Sequence, residues 1–565
     1  MQPLSSSGEW RIWQQSAAPM PLIHTLNAGM RTLRQYLGSA LWTSVVVFEE
    51  NQGKWLFRPK ELTLLGQKMI DFLMCPPYQV AFLTGYQNSR GRLLKKAEGI
   101  QSFDLASTTV AGLHALFDEF SSLYYAWYRY GWFCEPVQFQ SQDLLQRCLE
   151  RDVKAKLPDF DVKKAVLAVF TIDRESFSIS ILRHLAECAN ALGRVLRDSG
   201  VRGEVERLTG CADFPAKAAS VILAMPPERS SDLMVLRDLL RQHACLFYWK
   251  RNNYCETVVL TEIDVLVEIL SADDFDPGAP ARAIESELAK VDENRRRLLA
   301  EKREVLGLLT PYYKKVAALA SLVGGSLLDD RKRTIMIAND AFDRLLGSAA
   351  CRTGMALSDC RFLIPQEFSS FLERPADYTD RIERRKRMFV VFQGDFAIID
   401  DLVGDVARKS EVTELQYADF GMDDPFIAEG AEAEKLLNDL NLRLHFFDAG
   451  RTAAIDSLQG VTAYCDSADQ VIEGPVRVIL NPKTEEAQRG EILVASSTTP
   501  DYMGSILKCR AIVTDWGGQT SHAATVAREL HKPCIIATNY ASQVLRTGDL
   551  VRLHFGTGVV ETIRR

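Results

Sequence analysis

The sequence predicts a multidomain chain in which a mainly α-helical N-terminal region precedes a C-terminal α/β domain. Three observations carry this. At 565 residues the chain exceeds what one hydrophobic core normally supports. Apolar residues recur at helical spacing from Leu62 to about Ser271. Near Ser457 the texture changes to short β-branched runs separated by turns. The boundaries expected are a mainly helical region over 1–271, a helical second subdomain with its connection over 283–450, and the α/β domain over 457–565.

Residues 1–60 alternate short helical and strand-like pieces, among them "LWTSVVVFEE" (41–50) and "KWLFRP" (54–59). Leu113, Leu116, Phe117, Phe120, Leu123, Tyr124 and Trp127 step by three and four, as an amphipathic helix requires. "SADDFDPGAPAR" (271–282) combines acidic residues, prolines and glycine and reads as a connection. A charged helix follows over 283–309, with Leu288, Val291, Leu298, Leu299, Val305 and Leu306 as its buried stripe and Pro311 as punctuation. Helices continue to about residue 390, and acidic loops are expected between Asp400 and Glu434. Beyond Ser457, strands are expected at 475–480, 491–495, 511–515, 534–538 and 550–555, interrupted by one good helix at 521–531.

Composition narrows the function. With 47% hydrophobic and 25% charged residues the chain is ordinary for a globular protein, and a net charge of −7 argues against broad nucleic-acid binding. No apolar run approaches the ~20 residues that span a bilayer, and no charged-then-apolar leader is read in the first 30 residues, so no membrane association is expected. The 12 cysteines are scattered, without a CxxC pair or a neighbouring Cys/His set of recognised metal-ligand spacing. They read as reduced thiols of a cytoplasmic protein, and no metal site is expected.

The most locally specified stretch is "DWGGQTSHAATVAREL" (515–530). "AIVTD" before it suits a buried strand, and Gly517 and Gly518 permit positive φ and close backbone approach. Thr520 or Ser521 can cap a helix whose inward face is Ala523, Ala524, Val526, Ala527 and Leu530. His522 then sits in the first helical turn at the carboxyl end of a strand, where α/β folds place ligands. A helix N-terminus favours an anion and disfavours imidazolium, so a neutral, nucleophilic His522 is expected. Such an imidazole can take a phosphoryl group and pass it on, splitting one transfer into two displacements. A capped helix with a merely packed histidine is the competing reading.

These residues carry a resemblance. "GPVRVILNP" (474–482), "GEILVASSTTPDY" (490–502), "AIVTDWGGQTSHAATVAREL" (511–530), "KPCIIAT" (532–538) and "TGDLVRL" (547–553) resemble, in order and spacing, the swivelling phosphohistidine domain of the phosphoenolpyruvate-utilising enzymes. The resemblance implies that His522 is the phosphorylated residue and the catalytic nucleophile. It implies that Gly517, Gly518, Thr520 and Ser521 surround and bind the phosphate. Trp516 and "HKP" (531–533) depart from the family's usual residues, as does the long entry at 458–474, and these bear on docking rather than on chemistry.

Neither an ATP-grasp domain, a Walker A pattern nor the family's phosphoenolpyruvate-binding barrel is read in these residues. The resemblance therefore implies no cofactor on this chain alone, with ATP and Mg carried by a separate ATP-grasp subunit. Segments 62–73, 124–136, 327–346 and 360–395 are similar to the helical region that precedes the swivelling domain in rifampicin-phosphotransferase-like members, where the acceptor is received. The expected function is a phosphotransferase component that passes the phosphoryl group from His522 to a small hydroxyl-bearing acceptor. The alternative is a non-catalytic regulatory or scaffold protein that retains the domain.

Among the other candidates, the aromatic run around Tyr124, Trp127 and Trp132 could wall an acceptor pocket, with core packing as its simpler reading. The basic groups at 331–333 and 381–387 could attract a phosphorylated histidine domain or a nucleotide, or be solvated helix faces. His24, His114, His184, His243 and His445 are expected to be structural.

Overall fold

The computed structural model describes residues 11–25, 43–49, 52–57, 59–209, 211, 213–272, 275–394, 426–439, 455–467, 469–519 and 521–565. They form a helical body flanked by two sheets, in keeping with a mainly helical N-terminal region and a C-terminal sheet domain.

The first sheet is antiparallel, in the order β1-β3-β2-β4-β5. Its strands are β1 (Arg11–Ser16), β2 (Thr43–Glu49), β3 (Gln52–Phe57), β4 (Phe389–Gly394) and β5 (Phe426–Glu429). Strand β2 is central, and its Val45, Val46, Val47 and Phe48 are all buried. That explains why the run is continuously apolar instead of alternating. β4 pairs with β2 in a register that sets Val46 opposite Val391. Helices do run to Arg387, but the chain then returns to the sheet it began. Of the expected acidic loop, residues 400–425 lie outside the described residues, while 426–434 contribute β5 and the start of the helix Ala431–Asp439.

The helix Val110–Gly131 is capped by Thr109, whose hydroxyl accepts from the Gly112 N–H at 3.0 Å. Its apolar stripe enters the largest core, which also draws on residues 17–100, 319–350 and 360–391. The charged helix runs Arg282–Leu308 and buries Leu288, Val291, Leu298 and Val305, with Leu299 and Leu306 half-buried. A second core lies between the later turns of helix Phe177–Val195 and the helices of residues 199–270.

The basic run 381–387 is not a purely solvated face. Arg385 is fully buried, donates to both Glu367 carboxylate oxygens at 2.7 Å, and reaches Glu429 at 2.8 Å. This ties the helix Thr379–Arg387 to strand β5.

The C-terminal sheet has eight strands in the order β6-β13-β12-β8-β9-β10-β11-β7. They are β6 (Ser457–Gln459), β7 (Val461–Tyr464), β8 (Val471–Val478), β9 (Ile492–Ala495), β10 (Ala511–Thr514), β11 (Cys534–Ile536), β12 (Leu550–His554) and β13 (Val559–Arg564). Strands β8 to β11 are parallel, and the flanking pairs are antiparallel. The helix Met503–Lys508 connects β9 to β10, and the helix His522–Glu529 connects β10 to β11. The carboxyl ends of β9 and β10 therefore open side by side, which is where a parallel sheet presents a ligand site.

Among the described residues no helix is long and apolar enough to cross a membrane. Among the described residues no cysteine is in a disulfide.

Candidate phosphoryl-transfer site

The loop after β10 is held by its backbone. Asp515 N–H donates to Ala495 O at 3.1 Å and Trp516 N–H to Ser496 O at 3.0 Å, which stitches the loop to the end of β9. The buried Asp515 carboxylate accepts from Ser542 N–H at 2.8 Å and from the Ser542 hydroxyl. Burial pushes that carboxyl up to about 7.

Gly517 has φ +134°, and a β-carbon there would fall 2.7 Å from Ser521 Oγ. Only glycine turns this corner without strain. Ser521 caps the following helix, accepting from Ala524 N–H at 3.3 Å. Ala523, Ala524, Val526, Ala527 and Leu530 are all buried beneath it. Thr520 lies outside the described residues.

His522 opens that helix and is only 4% exposed. Its Nδ1 is 3.0 Å from the Thr498 hydroxyl, at the end of β9. Its Nε2 is buried without a hydrogen-bond partner among the described residues. The Phe177 ring lies parallel to the imidazole, with centroids 6.0 Å apart and planes at 15°. Burial holds the imidazole well below its usual range, and the Lys332 cation lowers it further. His522 is therefore neutral; the dominant cause is burial, where the sequence had pointed to the helix field.

The surroundings that bury His522 come from the helical body. A β-carbon on Gly518 would fall 2.5 Å from Gln138 Nε2, so the loop backbone rests directly on the helix Cys134–Cys148. Gln519 N–H reaches Gln142 Oε1 at 3.4 Å. Ser176 Oγ donates to Glu529 at 2.6 Å, and Asn294 donates to Arg528 O. Farther along, Asn253 donates to Asp501 at 3.1 Å and Lys483 pairs with Glu256 at 3.1 Å. Between these last contacts and the end of β9 lies a narrow cleft of about 20 Å³, lined by Asn253, Tyr254, Ser496, Ser497, Thr499 and Asp501 among others.

A family model described as "PEP-utilising enzyme, mobile domain" matches residues 487–558, the stretch that holds β9 to β12 and His522. The C-terminal domain is a mobile domain of the PEP-utilising enzymes. A protein named "Probable phosphoenolpyruvate synthase" from Staphylothermus marinus is 47% identical over 90 residues, covering 15% of this chain and 11% of that protein. Phosphoenolpyruvate synthase of Aquifex aeolicus is 41% identical over 91 residues, 16% of this chain and 11% of its own. Rifampicin phosphotransferase of Bacillus subtilis is 35% identical over 91 residues, 16% of this chain and 10% of its own. The matched stretch thus spans about a tenth of each relative's length.

Around the mobile domain, the structure brings together Gly517, Gly518, Ser521 and His522, and adds residues from distant parts of the chain. Thr498 and Phe177 are groups that the sequence did not single out against the imidazole, whereas Lys332 belongs to the basic group 331–333 read as able to attract a phosphorylated histidine domain. Lys332 stands in the basic triplet 331–333 of the helix Leu328–Thr353, but the three residues differ in role. Arg331 is buried and donates to Glu135 at 2.7 Å and to Gly131 O at 3.3 Å. Arg333 lies over the Trp249 ring, 5.6 Å from its centroid. Lys332 is the one whose charge is felt at His522, and burial brings its own ammonium down to about 8.

Tyr124, Trp127 and Trp132 are 1%, 0% and 3% exposed and lie within the main core. Tyr124 stacks on Tyr128, and the Trp132 ring packs at 5.8 Å from that of Trp55. They are packing residues and line none of the cleft described above.

Proposed function

We propose that the mobile domain carries a phosphoryl group on Nε2 of His522 and delivers it to an acceptor at the helical body. One observation carries this reading: a neutral imidazole has one nitrogen tied to Thr498 and the other unpartnered among the described residues. With Nδ1–H donating to the Thr498 hydroxyl, Nε2 presents its lone pair, the arrangement an in-line attack on phosphorus needs. The Nε2 lone pair forms the P–N bond as the donor's P–O bond breaks. In discharge the acceptor oxygen forms a P–O bond, the P–N bond breaks, and the hydroxyl proton leaves to solvent.

At 4% exposure the docked His522 cannot meet a bulky donor, so charging requires the mobile domain to leave the helical body. Docking then presents the phosphorylated ring to Lys332, whose positive charge favours the added anion. The acceptor is proposed to be a small hydroxyl-bearing molecule that enters beside Ser496–Thr499, where the docked cleft itself has room for about one water. The donor is proposed to be ATP with Mg on a separate ATP-grasp subunit.

Incubating the chain with a candidate ATP-grasp partner and β- or γ-labelled ATP tests this. Acid-labile label mapping to His522, and lost in His522→Ala with the fold intact, is the expected result. Label that persists in His522→Ala overturns the assignment.

A further inference from the structure

The helix Phe177–Val195, whose first residue stacks on His522, carries His184 and Cys188 one turn apart on the face turned toward the helix Ser231–Leu246. His243 comes from that second helix. Donor atoms of the three side chains all lie within 4.8 Å of one another. His243 Nδ1 is 3.3 Å from His184 Nδ1, and Cys188 Sγ is 3.7 Å from His184 Nδ1. Tetrahedral zinc, with Zn–N of about 2.0–2.1 Å and Zn–S of about 2.3 Å, requires ligand edges of about 3.3 Å for N–N and about 3.6 Å for S–N. The printed separations match both edges before any ion is added.

We infer that His184, Cys188 and His243 form a site for one zinc-class divalent cation. Two imidazoles and a thiolate are the ligand types that such a borderline-soft ion selects. Cys188 and His243 are both fully buried, while His184 is half-buried and leaves a side through which an ion and a fourth, solvent ligand can enter. Phe247 packs against both histidine rings, at 5.8 Å and 4.9 Å, and supplies an apolar wall. On binding, the Cys188 thiol proton goes to solvent. The His243 proton sits on Nε2, and Lys250, now 3.1 Å from that nitrogen, turns to Glu268, which it already contacts at 2.6 Å. The ion then clamps the helix that docks His522 to the helical unit behind it. Neither helix reveals this alone, because His184 and His243 are 59 residues apart.

Titrating the metal-free full chain with Co²⁺ tests the inference. One equivalent per chain should bind with a thiolate-to-cobalt charge-transfer band, and Zn²⁺ should displace it and raise Tm. Cys188→Ala and, independently, His184→Gln should fold as the parent does without metal yet lose the band and the Tm increase. No band in the parent chain, or a band retained in both folded variants, overturns the site and leaves a hydrogen-bonded histidine pair.

Discussion

Glu529 of the mobile domain accepts a 2.6 Å hydrogen bond from Ser176, the residue that caps the helix beginning at Phe177. Burial pushes the Glu529 carboxyl up to about 8; the Ser176 hydrogen bond opposes this and nearby Asp329 reinforces it. Asp329, which accepts from Phe177 N–H at 3.2 Å, is itself pushed up to about 6 by burial. Arg528 and Arg295 face the same carboxyl and pull in the opposite direction. The docked state thus binds protons that a solvated pair of carboxylates would release.

Glu529 is therefore expected to weaken docking as pH rises from the ordinary carboxylate range through about 8, whereas His522, kept neutral by the docked surroundings, weakens it as pH falls through the ordinary imidazole range. Small-angle scattering or inter-domain energy transfer, followed from pH 5 to 9, reads this directly. Glu529→Gln, which keeps a neutral side chain at every pH, should remove the weakening on the alkaline side and leave the acid side to His522. An unchanged profile in that variant refutes the assignment of the titration to Glu529.

Thr498→Val should leave the fold intact and slow phosphorylation of His522 by up to about 10-fold, the equivalent of one neutral hydrogen bond. Nitrogen-15 NMR of the imidazole should show the Nδ1–H tautomer lost in Thr498→Val and restored in Thr498→Ser. Equal rates in parent and Thr498→Val remove the positioning role.

The two glycines should fail differently. Gly517→Ala meets a positive φ and Ser521, so it should destabilise the mobile domain itself by about 1–3 kcal/mol in a thermal melt. Gly518→Ala meets only Gln138, across the interface, with Phe139 next nearest. It should spare the domain's stability and release docking, and Gln138→Ala should restore docking in the double variant.

Trp127→Ala should cost about 3–5 kcal/mol of stability, as truncation of a buried indole does. Denaturant unfolding measures that loss. Trp127→Phe should recover most of it and leave acceptor affinity unchanged, because the ring faces core residues.

The local geometry of this site was readable because it is local. Gly517, Ser521 and His522 lie within six residues, and strand, glycine turn and capped helix follow from propensities at fixed offsets. What presses on His522 was not readable, for it arrives through strand order and helix packing. Thr498 reaches the imidazole because β9 and β10 are parallel neighbours. Phe177 and Lys332 reach it from helices that begin 345 and 194 residues earlier in the chain, at positions 177 and 328. A basic triplet gave no sign that Arg331 was buried on Glu135 while Lys332 faced the histidine. The aromatic run was ambiguous for a related reason: periodicity marks an inward face without saying whether core or cleft lies there.

The pairing of Val46 with Val391 also has a temporal side. At about 5–20 residues per second, a ribosome needs roughly 17–70 s to make the chain between them. During that interval the edge of β2 that will receive β4 has no strand to bond it, although its side chains are as apolar as a core. The nascent hairpin is thus a sticky edge waiting for a late partner. Ribosome-arrested chains that end before Phe389 should accordingly engage holdase chaperones, and chains extended past Gly394 should release them.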